Sequence, residues 1–279
     1  MPIIESRDPS IKDLKGMHLW HDDLSSCSQR VRAVLAEKGL DWESHLLKIP
    51  KGETTTPEFL AINPMGLVPV FVHDGVLMTE SMDIIVYLDK IFPEPALRPT
   101  ESDELQQMKH WMEITDKAQY DLKVLSHEFI FRAVRNISAE QTEMFENEVE
   151  NDVLVEFIKV YNHSDKLPTD MISQSVNNTD HWFQDLDSAL ADRNWLVGGR
   201  MTLADIACMP NAHRFELMDW PVEKYPNVVN WHNQIKETKG YRAGIIDWEP
   251  THVRELLSDF VHSRGNDGYH VCKFGVLAA

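Results

Sequence analysis

Leu24-Ser25-Ser26-Cys27-Ser28-Gln29-Arg30-Val31-Arg32 joins a serine-rich entry to the start of a helix-forming run. Small polar residues stand just before an apolar run, Val31, Val34 and Leu35, that closes at Lys38-Gly39. Serines are good N-caps, and Gly39 stands where a helix end wants a left-handed residue. Met17-His18-Leu19-Trp20, just upstream, is a strand candidate. The order is therefore strand, short loop, helix, with hydroxyls crowded at the helix N-terminus. Free backbone N–H groups and the positive end of the helix dipole suit that place to an anion, a thiolate included. On this stretch alone two readings stay open: serines that only cap, or serines that serve a bound anion.

Downstream, Leu40 to Leu47 reads as a second strand, and Glu58 to Ile62 as a short helix or turn leading into Asn63-Pro64-Met65-Gly66. Val70 to His73 and Val76 to Thr79 flank Asp74-Gly75, the dipeptide that a type I′ hairpin turn demands. Val68-Pro69 sits at the mouth of that hairpin. A proline there is either an ordinary trans residue or a cis one whose preceding N–H and C=O face a ligand. Glu80-Ser81 then opens a helix through Ile84, Ile85, Leu88 and Ile91, which Pro93 and Pro95 end. This is a small α/β layer, a βαβ unit plus an antiparallel pair.

The proline-rich run from Pro93 to Pro99 reads as a linker, and the texture beyond it is helical. One helix is expected from Glu101 to about Arg135, a break at Asn136-Ile137-Ser138, and another helix through the acidic run to Val160. Helical spacing resumes around Trp182, Leu186 and Leu190. Thr202-Leu203-Ala204-Asp205 then forms a capping box in which Asp replaces Glu, with Met201 and Ile206 at the positions of a hydrophobic staple. A last helix runs from Val228 to about Lys239, and a helical segment from Glu255 to Ser263. The domain reading is a polar arm at 1–15 lying outside the core, an α/β domain at 16–95, a helical domain at 96–263 and an irregular tail at 264–279.

The 279 residues carry 27 basic and 45 acidic side chains, a formal charge of −18, which repels phosphate backbones and argues against a nucleic-acid partner. No apolar run reaches the length of a membrane helix, and charges at Glu5, Arg7 and Asp8 occupy the place of a signal peptide's apolar segment. The expectation is a cytoplasmic protein with no membrane partner. Cys27, Cys208 and Cys272 have no framework spacing and read as free thiols, and the 13 histidines show no ligand spacing, so no metal is assigned.

Four motifs in order, Ser25-Ser26-Cys27-Ser28, Asn63 to Pro69, Glu80-Ser81 and Thr202 to Asp205, resemble the glutathione S-transferase superfamily over roughly residues 16 to 240. The resemblance implies a thioredoxin-like N-terminal domain that binds glutathione, an all-helical C-terminal domain that completes the substrate pocket, and a dimer with itself or with a related chain. It implies a cis bond at Val68-Pro69. It also implies that Ser25 or Ser26 donates to the glutathione sulfur, and that Leu67, Val68 and Pro69 hold the cysteinyl backbone. Glu80 and Ser81 would then hold the γ-glutamyl ammonium and carboxylate.

The Ser-Ser-Cys-Ser-x-Arg-Val-Arg run is similar to the zeta class, which includes maleylacetoacetate isomerases and reductive dehalogenases, and places Cys27 where a dehalogenase keeps its resolving cysteine. The stretch from Leu97-Arg98-Pro99 to Trp111-Met112, followed by Ala133 to Val149, resembles bacterial β-etherases that cleave lignin-type aryl ethers. Leu19-Trp20-His21 and Ala36-Glu37-Lys38 resemble the ganglioside-induced differentiation-associated group, whose membrane anchor this chain is expected to lack. The β-etherase-like reading makes the substrate a small aromatic electrophile, with Tyr120, His127 and Phe131 as candidate pocket residues. Aromatics at that spacing can equally line a helix–helix core. A non-catalytic glutathione-binding protein is the remaining alternative.

Overall fold

The computed structural model describes residues 3–134 and 138–278. Four strands form one sheet in the order β2-β1-β3-β4, with β1 Met17–His21, β2 Glu43–Leu46, β3 Val70–His73 and β4 Val76–Met78. β1 runs parallel to β2 and antiparallel to β3, pairing His18 with Glu43, Trp20 with His45 and Leu19 with Phe71. Asp74 and Gly75 take positive φ, as the type I′ turn requires.

Side chains alternate across the strands, so the sheet has two working faces. Leu19, Phe71 and Met78 face α1 (Ser26–Lys38) and α3 (Ser81–Ile91), inside the large core that continues into the helical region. Trp20, Val70, Val72 and Leu77 face the other way, onto Phe59 and Ile62 of α2 (Pro57–Ile62). Ile11 completes that second core at 3% exposure, and Ile3 bridges to Met78. The arm expected to lie outside the core is therefore part of it. Asp8 caps the 3-10 turn (Pro9–Asp13) that turns Ile11 inward, and Ile4 and Leu14 pack beside it, so a few apolar side chains in a polar run suffice.

The expected helix from Glu101 to Arg135 is two. α4 (Ser102–Lys117) gives way at Ala118 to α5 (Gln119–Phe129), and a 3-10 turn at Phe131–Val134 follows. No proline or glycine marks the bend, so the periodicity reads straight through it. Of the break expected at Asn136-Ile137-Ser138, the first two residues lie outside those described. The helix expected through Val160 is also two, α6 (Ala139–Glu148) and α7 (Asp152–Asn162), with Asn151 capping the second through its Oδ1 on the Leu154 N–H at 3.1 Å. α8 (Thr169–Ala189), α9 (Leu203–Leu217), α10 (Pro226–Lys236), α11 (Lys239–Gly244) and α12 (Thr251–Asn266) complete the chain. Among the described residues, no helix is long and apolar enough to cross a membrane.

The capping box at α9 forms as spelled out in the sequence. Asp205, fully buried, accepts from the Thr202 N–H at 2.8 Å, the Leu196 N–H at 2.9 Å and the Trp231 Nε1–H at 2.9 Å. Burial pushes its carboxyl pKa up, and those donors work against the rise. The tail is not loose. Glu128, buried in α5, accepts from Arg264 at 3.0 Å and from the Tyr269 hydroxyl at 2.9 Å. Val271 is fully buried, and the Val276 N–H donates to Asn177 of α8 at 2.8 Å.

α1 is the element most surrounded, packed by α3, α9 and α11 on the face away from solvent. Gly244 makes the closest approach: a Cβ there would stand 2.6 Å from the Ala33 nitrogen and 2.7 Å from its Cα. Gly244→Ala forces α11 off α1, and the expected cost is about 1–3 kcal/mol. Chemical denaturation checks it, and an unchanged midpoint would show that α11 yields freely.

Candidate active site

The loop before α1 is built first. Asp22, buried, accepts from the Leu24 N–H at 2.9 Å and the Ser25 N–H at 3.1 Å with one oxygen, and from the Ile49 N–H at 3.2 Å with the other. Arg32, 1% exposed, donates to the carbonyls of Asp22 and Asp23 at 2.9 Å each, to His21 Nδ1 at 2.9 Å and to the Gly244 carbonyl at 2.8 Å. A guanidinium this deep in protein is tolerated because it finds acceptors, yet burial still brings its pKa down to about 10. The loop is thus held from both sides.

At its end Ser25 caps α1, its oxygen accepting from the Ser28 N–H at 3.2 Å. That bond uses a lone pair and leaves the Ser25 hydroxyl hydrogen free to donate. Ser26 is buried, and its oxygen accepts from Gln119 of α5 at 2.9 Å. Cys27 is half-buried, with Arg30 Nη1 3.7 Å from its sulfur. The same Arg30 nitrogen donates to the Ser81 hydroxyl at 2.8 Å, so one fully buried side chain ties Cys27 to Ser81, and its Nη2, 3.5 Å from Gln119 Oε1, adds Ser26 through Gln119.

Val68-Pro69 is cis. Antiparallel pairing of Trp20 with Val70 carries this bond alongside the start of the Asp22 loop. Among the described residues, neither the Val68 N–H nor its carbonyl has a hydrogen-bond partner, although Val68 is 8% exposed. Leu67 is exposed, and its carbonyl accepts from Asn63 at 2.8 Å, which braces the turn. Glu80 takes φ +64° at the start of α3 and makes no side-chain cap, so the first amides of that helix are open. Strain of that kind in a non-glycine persists only where the surroundings impose it. The Glu80 carboxyl pKa is raised by desolvation, then by the nearby Asp116 and Asp83, and such a cluster is relieved by a cation.

Of the three aromatic-pocket candidates, His127 and Phe131 pack together, while Tyr120 is exposed. Tyr120 is exposed at 44%, next to Gln119 at the start of α5. His127 and Phe131 meet edge to face with ring centroids 5.5 Å apart. His127 also meets Phe157 and Tyr161 of α7, both centroids at 5.0 Å, while its Nδ1 is 2.8 Å from the Lys123 carbonyl. Desolvation, the largest cause, pushes its pKa down to about 4. Arg214 lies 4.8 Å over the Phe131 ring and reaches the Leu24 carbonyl, connecting this aromatic group to the serine loop. Arg30 and Arg32 stand in the Ser-Ser-Cys-Ser-x-Arg-Val-Arg run, but that run gave them no role, and Gln119 and Arg214 carry no motif signal; an unusual density of cations on a helix that must be buried could have flagged the first two.

Residues 24–91 match the glutathione S-transferase N-terminal domain and residues 183–234 the C-terminal domain. Glutathione S-transferase 1 of Dianthus caryophyllus is 47% identical over 90 residues, 32% of this chain and 41% of that one, so the match spans well under half of the relative's length. Probable maleylacetoacetate isomerase 1 of Drosophila melanogaster is 26% identical over 228 residues, covering 78% and 77% of the two chains. Protein LigF of Sphingobium sp. is 28% identical over 179 residues, 62% of this chain and 69% of that one. The crystal structure of beta-etherase LigF superposes with a TM-score of 0.75 at 24% identity, covering 82% of this chain and 98% of the other.

Buried neutral histidines make stability depend on pH. His21, fully buried, has its pKa pushed down to about 3 by desolvation and then by Arg32, and His127 to about 4. An unfolded chain takes up those protons near pH 6.5, so stability is whole above that pH and is lost as pH falls toward the folded values. Between pH 6.5 and 5 each such site contributes a loss of about 2 kcal/mol. The raised Asp22 and Asp205 act in the opposite sense, so the histidine contribution is read from a variant. His127→Leu should flatten the fall of unfolding free energy over that range; an unaltered slope would mean that the His127 ring charges freely in the folded protein.

Residues 24–91 and 183–234 thus carry, in N-to-C order, the likeness to the N- and C-terminal glutathione S-transferase domains, on the shared fold of a thioredoxin-like layer joined to a helical region.

Proposed function

We propose that the chain is a glutathione-dependent transferase whose bound thiolate attacks an electrophilic carbon of a small aromatic substrate and displaces a phenolate-type leaving group. The observation that carries the reading is the set of open groups around α1. The free backbone pair of Val68 suits the peptide middle of glutathione. The uncapped start of α3, with Ser81 held by Arg30 and its own hydrogen free, suits the γ-glutamyl carboxylate. The crowded acids Glu80, Asp83 and Asp116 suit the ammonium. Ser25 then has a hydroxyl hydrogen to donate where the sulfur would rest, at the positive end of α1.

The chemistry follows from those groups. A donated hydrogen bond and the helix dipole both favour thiolate over thiol, and the bound geometry spares the entropy of bringing nucleophile and substrate together. Fold likeness to LigF and the sequence likeness to it support an aryl ether as the electrophile, with Tyr120 and Phe131 as the ring's neighbours and His127 behind them. The reading carries with it a cytoplasmic dimer, homomeric or with a related chain.

Cys27 favours a second reading, because its half-exposed sulfur lies beside Arg30. A zeta-like isomerase or a reductive dehalogenase would use it, and the likeness to the Drosophila protein supports that class. Mass spectrometry distinguishes the two: a Cys27–glutathione mixed disulfide during turnover of a chlorinated hydroquinone belongs to the second reading alone.

Ser25→Ala should lower kcat about 10- to 100-fold on an aryl ether, since a hydrogen bond to a charged acceptor contributes about 1.5–3 kcal/mol. Steady-state kinetics with glutathione and a β-aryl ether check it. Full turnover in both Ser25→Ala and Ser26→Ala would remove the hydroxyls from the mechanism and leave the backbone amides alone.

A further inference from the structure

Spacing along the chain offers no metal motif, but the parallel register of β1 and β2 creates a cluster that spacing cannot show. His18 stands opposite Glu43, and Trp20 opposite His45, so both histidines and the glutamate share one face of the sheet. His18 Nδ1 lies 3.0 Å from His45 Nε2 and 3.6 Å from Glu43 Oε2, and His45 Nε2 lies 3.9 Å from Glu43 Oε1. Ligand atoms around a tetrahedral ion with bonds of about 2.0–2.1 Å stand about 3.3 Å apart, a value that lies within the 3.0 to 3.9 Å span of these separations.

The surroundings orient the rings as metal ligands need. His18 Nε2 lies 3.0 Å from the Lys15 carbonyl, which must receive the ring's proton there, leaving the Nδ1 lone pair directed at the cluster. Trp20 stacks on His45 with centroids 4.1 Å apart and planes within 9°, fixing the second ring. His18 is buried to 6% side-chain exposure, whereas Glu43 is 66% exposed. The site therefore has a rigid inner ligand and an open outer edge where a cation enters and water completes the shell. Among the described residues this is the cluster of three such side chains whose ligand atoms converge, and its position near the start of β1 separates it from the Ser25 loop, which leaves the strand's other end.

We propose that His18, His45 and Glu43 form a binding site for a divalent transition ion of the zinc type. In the ion-free protein a proton lies between the facing nitrogens, with His45 Nε2–H donating to His18 Nδ1. The ion takes that proton's place while the proton passes through solvent to His45 Nδ1, so both rings stay neutral and ligate through His18 Nδ1 and His45 Nε2, with the carboxylate balancing charge.

Titration of the metal-stripped, full-length protein with Zn2+ tests the site, followed by calorimetry and by melting temperature. One equivalent of Zn2+ should bind and raise Tm, because a ligand of the folded state stabilises it. Glu43→Gln and His45→Ala should each weaken binding at least about tenfold, and the double variant should lose the zinc-dependent rise in Tm while keeping its zinc-free Tm. Co2+ should give the strong visible bands of a four-coordinate ion in the wild type and not in the double variant. Absence of binding in the wild type, or an unchanged affinity and Co2+ spectrum in the double variant, would overturn the proposal, the latter placing the ion on other histidines.

Discussion

Two guanidiniums buried in one helix set the terms for the whole molecule. Arg30 and Arg32 are 0% and 1% exposed, and moving such a charge out of water costs several kcal/mol unless every donor is met. They are met by groups from opposite directions. Arg32 takes carbonyls from the loop before its own helix and from Gly244, while Arg30 takes the Ala207 carbonyl at 3.1 Å, the Ser81 hydroxyl and the Asn211 side chain at 3.3 Å. α1 can satisfy both only in one position between the sheet, α3, α9 and α11. Breaking either set would strand a buried charge, so the helix start that carries Ser25 is placed by the same interactions that join the two halves of the chain.

The helices between Ser138 and Asp180 are anchored to the other half. The Glu150 N–H donates to the Pro64 carbonyl at 2.9 Å, and Val149 with Val155 packs on Leu60. A Cβ on Gly66, already at positive φ, would stand 3.2 Å from a Val149 methyl. These contacts fall on the turn immediately before the cis bond. α7 meanwhile supplies Phe157 and Tyr161 to the aromatic group around His127. The α6–α7 segment thus braces one side of the candidate site and furnishes part of the wall behind another.

What could be read from the residues was local. Serines before α1, Asp74-Gly75 and Thr202 to Asp205 announce themselves because each satisfies a nearby backbone need within four residues. The cis bond followed from resemblance, since base rates alone favour trans. What could not be read depends on long-range placement. Arg30 and Arg32 look like solvated helix residues until packing removes the solvent. Gln119 has meaning only because the bend at Ala118 aims it at Ser26. Ile11 looks stray in a polar arm, and His18 and His45 become neighbours only through the register of two strands 27 residues apart in ligand position.

The proposed function requires that the start of α1 hold a thiolate. Ultraviolet absorbance near the thiolate band, followed across pH for glutathione bound to the wild-type protein against free glutathione, tests it most directly. A free thiol of this type titrates near pH 8.5, and the bound sulfur should titrate clearly below that value. A bound thiol that titrates at or above the free value would contradict the account.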